Sequence, residues 1–220
     1  MQGFMSEGYV RRLPVYLLLD CSGSMQGDAI IAVNEGLEII YRLLIADPRA
    51  IDTVFISVIC FADQATQYEL TSLDQFQPPI LSAQGQTALG GALQLLMQSI
   101  QHDLIMNTPT QHGDYRPLVF LLTDGEPTDR YQDGIQQLQM LQGSQKPTIV
   151  ALGCGSQVNE RVLRSLTPNV SLMHAVSTEA IKTFFRWMSG SIAQTAHAGG
   201  PLDTTVYTPP PGVFRLPRQE

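Results

Sequence analysis

Positive charge is scarce in this chain: 13 Lys and Arg stand against 20 Asp and Glu, a formal net charge of -7. No basic run offsets that balance, so there is no footprint for a phosphate backbone and no lever on an anionic membrane surface. Neither nucleic acid nor a membrane is expected as a partner. Cysteine is equally sparse. Cys21, Cys60 and Cys154 sit singly in apolar or Gly-rich surroundings, with neither the paired spacing of a zinc site nor the even count of a disulfide framework. A reducing compartment is the expectation. Apolar runs stop far short of the ~20 residues that a membrane helix needs. The opening MQGFMSEGYVRRLP has no long apolar stretch of signal-peptide type. These absences lead us to expect a soluble, cytoplasmic protein. Phosphate-cradling glycine patterns are missing too, since neither GxGxxG nor GxxxxGK[ST] follows any strand-like run. His102, His112, His174 and His197 are scattered without ligand spacing and read as structural or exposed.

What is present is apolar content of 44% in 220 residues, enough to fill one large core, and nothing in the middle of the chain reads as a linker. Near-continuous apolar runs at 14–20, 53–61, 117–124, 148–155 and, more weakly, 170–175 are what strands look like when both faces are covered. Between them lie segments of helical period, at about 28–46, 87–105, a third carrying Ile135, Leu138 and Leu141, a short one at 159–165, and a last one at about 178–196. Asp129, with Gln132 three residues on, reads as the cap of the third helix. Strands alternating with helices predict a doubly wound α/β sheet of about six strands, mostly parallel, with helices on both faces. Residues 66–70 alternate after a turn and suit one antiparallel edge strand. The expected division is an N-terminal extension at 1–12, one domain at 13–196, and a Pro/Gly-rich tail at 197–220 with too little periodicity for a regular element.

In such a sheet, ligands bind beyond the carboxyl ends of the strands, where the strand order reverses. The first strand ends in DCSGSM, the long loop before the second large helix contains GQT, and another strand ends in LLTDGEPTD. Three loops therefore deliver oxygen donors to one edge: carboxylates from Asp20 and Asp124, and hydroxyls from Ser22, Ser24 and Thr87. These are hard ligands without a histidine or thiolate among them, so the fitting ion is Mg2+, or Mn2+ or Ca2+, rather than zinc. Glu126, Asp129 and Asp133 read as cap and solvated face. Cys21 reads as a small residue packed under the loop, and Trp187 with Phe184 and Phe185 as core.

Those three stretches resemble the metal-ion-dependent adhesion site of the von Willebrand factor A domain family. All five positions of its pattern are occupied, by Asp20, Ser22, Ser24, Thr87 and Asp124, and the resemblance covers about residues 13 to 195. Within the family, LPVYLLLDCSGSM near the start and an Ile/Leu-rich helix next are similar to the short bacterial TerY-type tellurite-resistance proteins. The resemblance implies a binding module rather than an enzyme, in which a divalent cation recruits an acidic side chain of a protein partner. It also implies a bacterial stress-response or tellurite-resistance setting, with kinase-like or phosphatase-like companions. The rival reading is a Mg-dependent phosphoryl-transfer enzyme of haloacid-dehalogenase type, which needs a second aspartate two residues after the first. Ser22 stands there instead, and a hydroxyl cannot protonate a leaving group as a raised-pKa carboxyl does.

Overall fold

The computed structural model describes residues 10–173, 177–199, 209–210 and 212–217. Its core is a seven-stranded sheet in the order β3-β2-β1-β4-β5-β6-β7. The strands are β1 (Leu13–Asp20), β2 (Val54–Phe61), β3 (Ala65–Ser72), β4 (Leu118–Thr123), β5 (Thr148–Cys154), β6 (Val170–Met173) and β7 (Phe214–Arg215). The five strands β2, β1, β4, β5 and β6 are parallel, whereas β3 and β7 close the two edges antiparallel. The doubly wound α/β expectation therefore holds. Every residue of β1 is buried. Its period-two alternation sends Val15, Leu17 and Leu19 into one apolar cluster and Tyr16 and Leu18 into the other. Two covered faces require a run with no polar alternation.

The helices are α1 (Asp28–Leu44), α2 (Pro48–Thr53), α3 (Leu89–Asp103), α4 (Gln132–Met140), α5 (Glu160–Leu166) and α6 (Thr178–Ala198). α1 and α6 share the first cluster, with Val33, Leu37 and Ile40 facing Ile181, Phe185, Met188 and Ile192. Leu89, Leu93 and Leu96 of α3, Ile135 and Leu138 of α4, and Val162 and Leu163 of α5 fill the second. Gly36 lets α1 and α6 approach closely, because a Cβ there would sit 2.4 Å from the Phe185 ring. Gly36→Val must push the two helices apart in a filled core, and overpacking of this kind costs about 1–3 kcal/mol. A lowered urea midpoint with an unchanged denaturant slope is the expected result, and an unshifted midpoint would contradict the close packing.

Four expectations need correction. Thr53 ends a helix rather than opening β2: Asp47 caps α2 by accepting from the N–H groups of Arg49 and Ala50, Pro48 starts it, and β2 follows directly. The second large helix begins at Leu89, so Thr87 lies in the loop before it. Asp129 does not cap α4. Its two oxygens accept from Gly90 N at 2.8 Å and Gly91 N at 2.9 Å, so it caps α3, and α4 starts from Tyr131 with no side-chain cap. The tail is not wholly irregular, since β7 pairs with β6, Leu216 N donates to Val170 O, and Val213 is buried. The weak strand expected at 170–175 is seen as β6 to Met173, and its last two positions, including His174, lie outside the described residues.

Candidate functional site

β1 sends its chain on to β2 at one side and has β4 at the other, so strand order reverses between β1 and β4. That reversal leaves a crevice at the carboxyl ends, and both polar tips open into it. Asp20 is the last residue of β1 and Asp124 follows the last residue of β4. After Asp20, Ser22 leads into a 3-10 turn at Gly23–Met25 that contains Ser24, so hydroxyls at two alternate positions follow the carboxylate. Ser22 Oγ and Ser24 Oγ are 3.0 Å apart, and Ser24 Oγ donates to Asp124 Oδ1 at 2.7 Å. Asp20 Oδ1 accepts from Ser22 N at 2.8 Å, and Asp20 Oδ2 accepts from Thr123 Oγ1 at 2.5 Å. Four of the five expected residues thus form one hydrogen-bonded chain, Asp20 to Ser22 to Ser24 to Asp124.

Thr87 reaches the same place by its own route. Its N–H donates to Thr128 Oγ1 at 3.2 Å and its carbonyl accepts from Thr128 N at 3.0 Å, which ties it to the segment after Asp124. The Cβ position of Gly125 lies 3.1 Å from Thr87 Oγ1 and 3.9 Å from Asp20 Oδ2, so the hydroxyl stands on the Asp20 side of that segment. Gly85 makes the approach possible. Its φ of +74° is one that L side chains rarely adopt, a Cβ there would meet the Asp63 carboxylate at 2.5 Å, and its carbonyl accepts from Gly23 N at 3.0 Å. The GQT loop and the DCSGSM loop are therefore joined backbone to backbone.

The electrostatics of the cluster are one-sided. Asp20, Ser22, Thr87 and Asp124 are all buried, while Ser24 is exposed at the mouth. Burial pushes the Asp20 carboxyl above the usual range against hydrogen bonds from Ser22 and Thr123, with the Asp124 charge adding to the rise. Burial also raises Asp124, against its bond from Ser24. Among the described residues no Lys, Arg or His forms an ion pair with either carboxylate. Nor is there, among the described residues, any group of three or more His, Cys, Asp or Glu that could hold a metal.

Thr123, Thr128 and Asp63 went unnoticed in the sequence. Thr123 is the strongest omission, because it holds the carboxylate of Asp20 from the neighbouring strand. Its signal was a polar residue closing an otherwise apolar run, directly before Asp124. Asp63 accepts from Gln86 N at 2.9 Å and steadies the loop ahead of Thr87. Glu126 is exposed and accepts from Asn159 Nδ2 at 3.0 Å. Trp187 stacks on Phe184 at 5.6 Å and meets Phe120 edge-on, a core role as expected. Among the described residues no helix is long and apolar enough to cross a membrane.

Comparison with known proteins agrees with this architecture. No curated protein matches the chain. Among solved structures, a von Willebrand factor type A protein from Catenulispora acidiphila superposes with a TM-score of 0.60 at 18% identity, covering 83% of this chain and 43% of that one. The pilus adhesin SpaC from Lactobacillus rhamnosus GG, in its open conformation, gives 0.65 at 14% identity, covering 84% and 30%. Proximal thread matrix protein 1 from the mussel byssus, solved with a zinc-occupied MIDAS motif, gives 0.54 at 17% identity, covering 95% and 48%. The chain spans less than half the length of each. At these identities the likeness establishes the fold, and the family follows from the sequence itself: residues 15–187 match the von Willebrand factor type A domain, and the chain belongs to that family.

Proposed function

We propose that this domain is a metal-dependent protein-binding module in which Asp20, Ser22, Ser24, Thr87 and Asp124 hold a divalent cation, with Mg2+ as the natural occupant. The observation that carries the reading is a pair of buried carboxylates, linked by two hydroxyls, with no basic side chain paired to either among the described residues. Isolated buried charge is costly, and a cation is the ordinary remedy. Carboxylate and hydroxyl oxygens suit Mg2+, Mn2+ or Ca2+. The zinc reported in the MIDAS motif of the mussel protein makes Zn2+ a necessary competitor in any test. When bound, the cation supplies an open coordination position that an outside carboxylate can fill. The chain's own work is to orient the donors: Thr123 fixes Asp20, Ser24 fixes Asp124, and Gly85 holds the Thr87 loop against the Ser22 turn.

The partner is then a protein that offers an Asp or Glu side chain, read further by the loops around the crevice. The resemblance of the opening segment to TerY-type proteins supports a partner from a bacterial stress-response or tellurite-resistance system in the cytoplasm, with kinase-like or phosphatase-like companions. Catalysis is not part of this reading. The position where a phosphoryl-transfer enzyme needs its second carboxyl holds Ser22, whose hydroxyl lies 3.0 Å from that of Ser24. Calorimetric titration of the purified chain with Mg2+, Mn2+ and Zn2+ is the direct test. One saturable site in the native chain, lost in Thr87→Ala, is expected, and partner capture from the native host should fail in EDTA. Absence of any saturable divalent site overturns the reading.

A further inference from the structure

Cys21 and Cys60 were expected to stand singly, and the fold instead sets them against each other. β1 and β2 run parallel with Leu19 opposite Cys60 and Asp20 opposite Phe61, and Cys21 N donates to Phe61 O at 2.8 Å. Period-two alternation places Leu19, Cys21 and Cys60 on one face of the sheet, towards the cluster under α1 and α6. There the two cysteines stand as diagonal neighbours on adjacent strands. Their access is unequal. Cys21 is 3% exposed, whereas Cys60 is half-buried, and both line an open cavity of about 480 Å3 together with Asp63, Thr66, Tyr68 and Gln84. Cys154 is fully buried at the end of β5, two strands from β1, and belongs to neither the pair nor the cavity.

We propose that Cys60 and Cys21 form a peroxide-responsive dithiol, in which a hydroperoxide entering this cavity is reduced as the two sulfurs close to a disulfide. Cys60 is the attacking sulfur because it is the one that solvent reaches. The thiolate is the reactive form. Cys60 Sγ attacks one peroxide oxygen, the O–O bond breaks, and the departing hydroxide takes up the proton that the Cys60 thiol released. Cys60 is left as a sulfenic acid. Cys21 Sγ then attacks the Cys60 sulfur, the S–S bond forms, and the sulfenic hydroxyl leaves as water with the Cys21 proton. Two thiols lose two electrons in all, and one hydrogen peroxide becomes two waters.

The bond has a mechanical consequence. A disulfide holds its Cα atoms within roughly 4.4–6.8 Å, and diagonal neighbours on adjacent strands stand about 7–8 Å apart, so closing it draws Cys21 towards β2. Cys21 sits between Asp20 and Ser22. Oxidation thus displaces the donor loop and weakens cation binding, a consequence that rests on the metal reading above.

The test uses the full chain, reduced and then treated with one equivalent of hydrogen peroxide. Free thiols should fall from three to one, with a Cys21–Cys60 linked peptide in non-reducing mass mapping that dithiothreitol reverses. Cys154→Ser should form the same link, and Cys60→Ser should form none. Accumulation of Cys60 sulfinic acid without a link, or a link through Cys154 or between chains, overturns the proposal. Mn2+ affinity of the oxidised chain should be weaker by roughly tenfold than that of the reduced chain, the scale seen when the surroundings of metal ligands are disturbed. Equal affinities would overturn the coupling. Should neither form bind Mn2+, it is the metal reading that falls, and the peptide map still decides the dithiol.

Discussion

Asp20→Asn is expected to abolish the rise in melting temperature that Mg2+ gives the native chain. A ligand that binds only the folded state adds ~2.7 kcal/mol at about 100 times its dissociation constant, which is roughly 5–10 °C for a domain of this size. Asparagine is the informative replacement because it keeps the local bonds. Its amide oxygen can accept from Ser22 N as Asp20 Oδ1 does, and its NH2 can donate to the Thr123 hydroxyl in place of accepting from it. Lost metal response in a folded protein is then a statement about charge, not about collapse. The pH dependence has a definite sign. Burial holds the Asp20 and Asp124 carboxyls above their ordinary range in the metal-free fold. An acid raised in this way stabilises the fold while protonated, and that stability is lost as pH climbs from the unfolded value through the folded one. Metal-free native chain should therefore lose stability just above the usual carboxylate range, and Asp20→Asn should lose less. Melting curves in chelator and in Mg2+ across that window check both statements. A variant that keeps the full Mg2+ shift would remove Asp20 from the site.

The parts of this fold that were legible in the sequence are those set by local rules. β1 is an unbroken apolar run because both of its faces are covered, and α1 shows its stripe because one face meets α6. The polar tips were equally plain, since a carboxylate and two hydroxyls have no place in a core. Asp129 shows where local rules stop. Its spacing to Gln132 fits a cap for α4, yet its carboxylate bonds two N–H groups of α3, nearly forty positions back along the chain. β7 is two residues long and has no period to read; only the open edge of β6 defines it. The signals for α2 were present in Asp47 and Pro48, but six residues carry no apolar stripe, and the helix runs straight into β2. Cys21 and Cys60 are brought together by strand register, which no spacing between two lone cysteines announces.

The second large effect lies at the opposite end of β1 from the polar tips. Asp114 is 1% exposed, and it accepts from Arg12 Nε at 2.9 Å through one oxygen and from Arg12 Nη2 at 2.6 Å and Ile105 N at 2.9 Å through the other. Arg12 Nη2 also donates to Asp103 O, and its guanidinium lies 4.9 Å from the centre of the Phe55 ring. Arg11 donates to the carbonyls of Gly113 and Asp114, and Tyr115 N donates to Arg12 O. One forked ion pair thus fastens the start of β1 to the segment between α3 and β4. Asp114→Ala leaves a largely buried guanidinium without its carboxylate and Ile105 N without its acceptor. Breaking a buried pair from one side costs about 3–5 kcal/mol, a large fraction of the stability of an ordinary domain. The urea midpoint should fall accordingly. Arg12→Met combined with Asp114→Leu should recover much of the loss, because the guanidinium is removed together with the carboxylate. A double variant no more stable than Asp114→Ala would show that the backbone bonds of this corner, rather than the buried charge, hold it together.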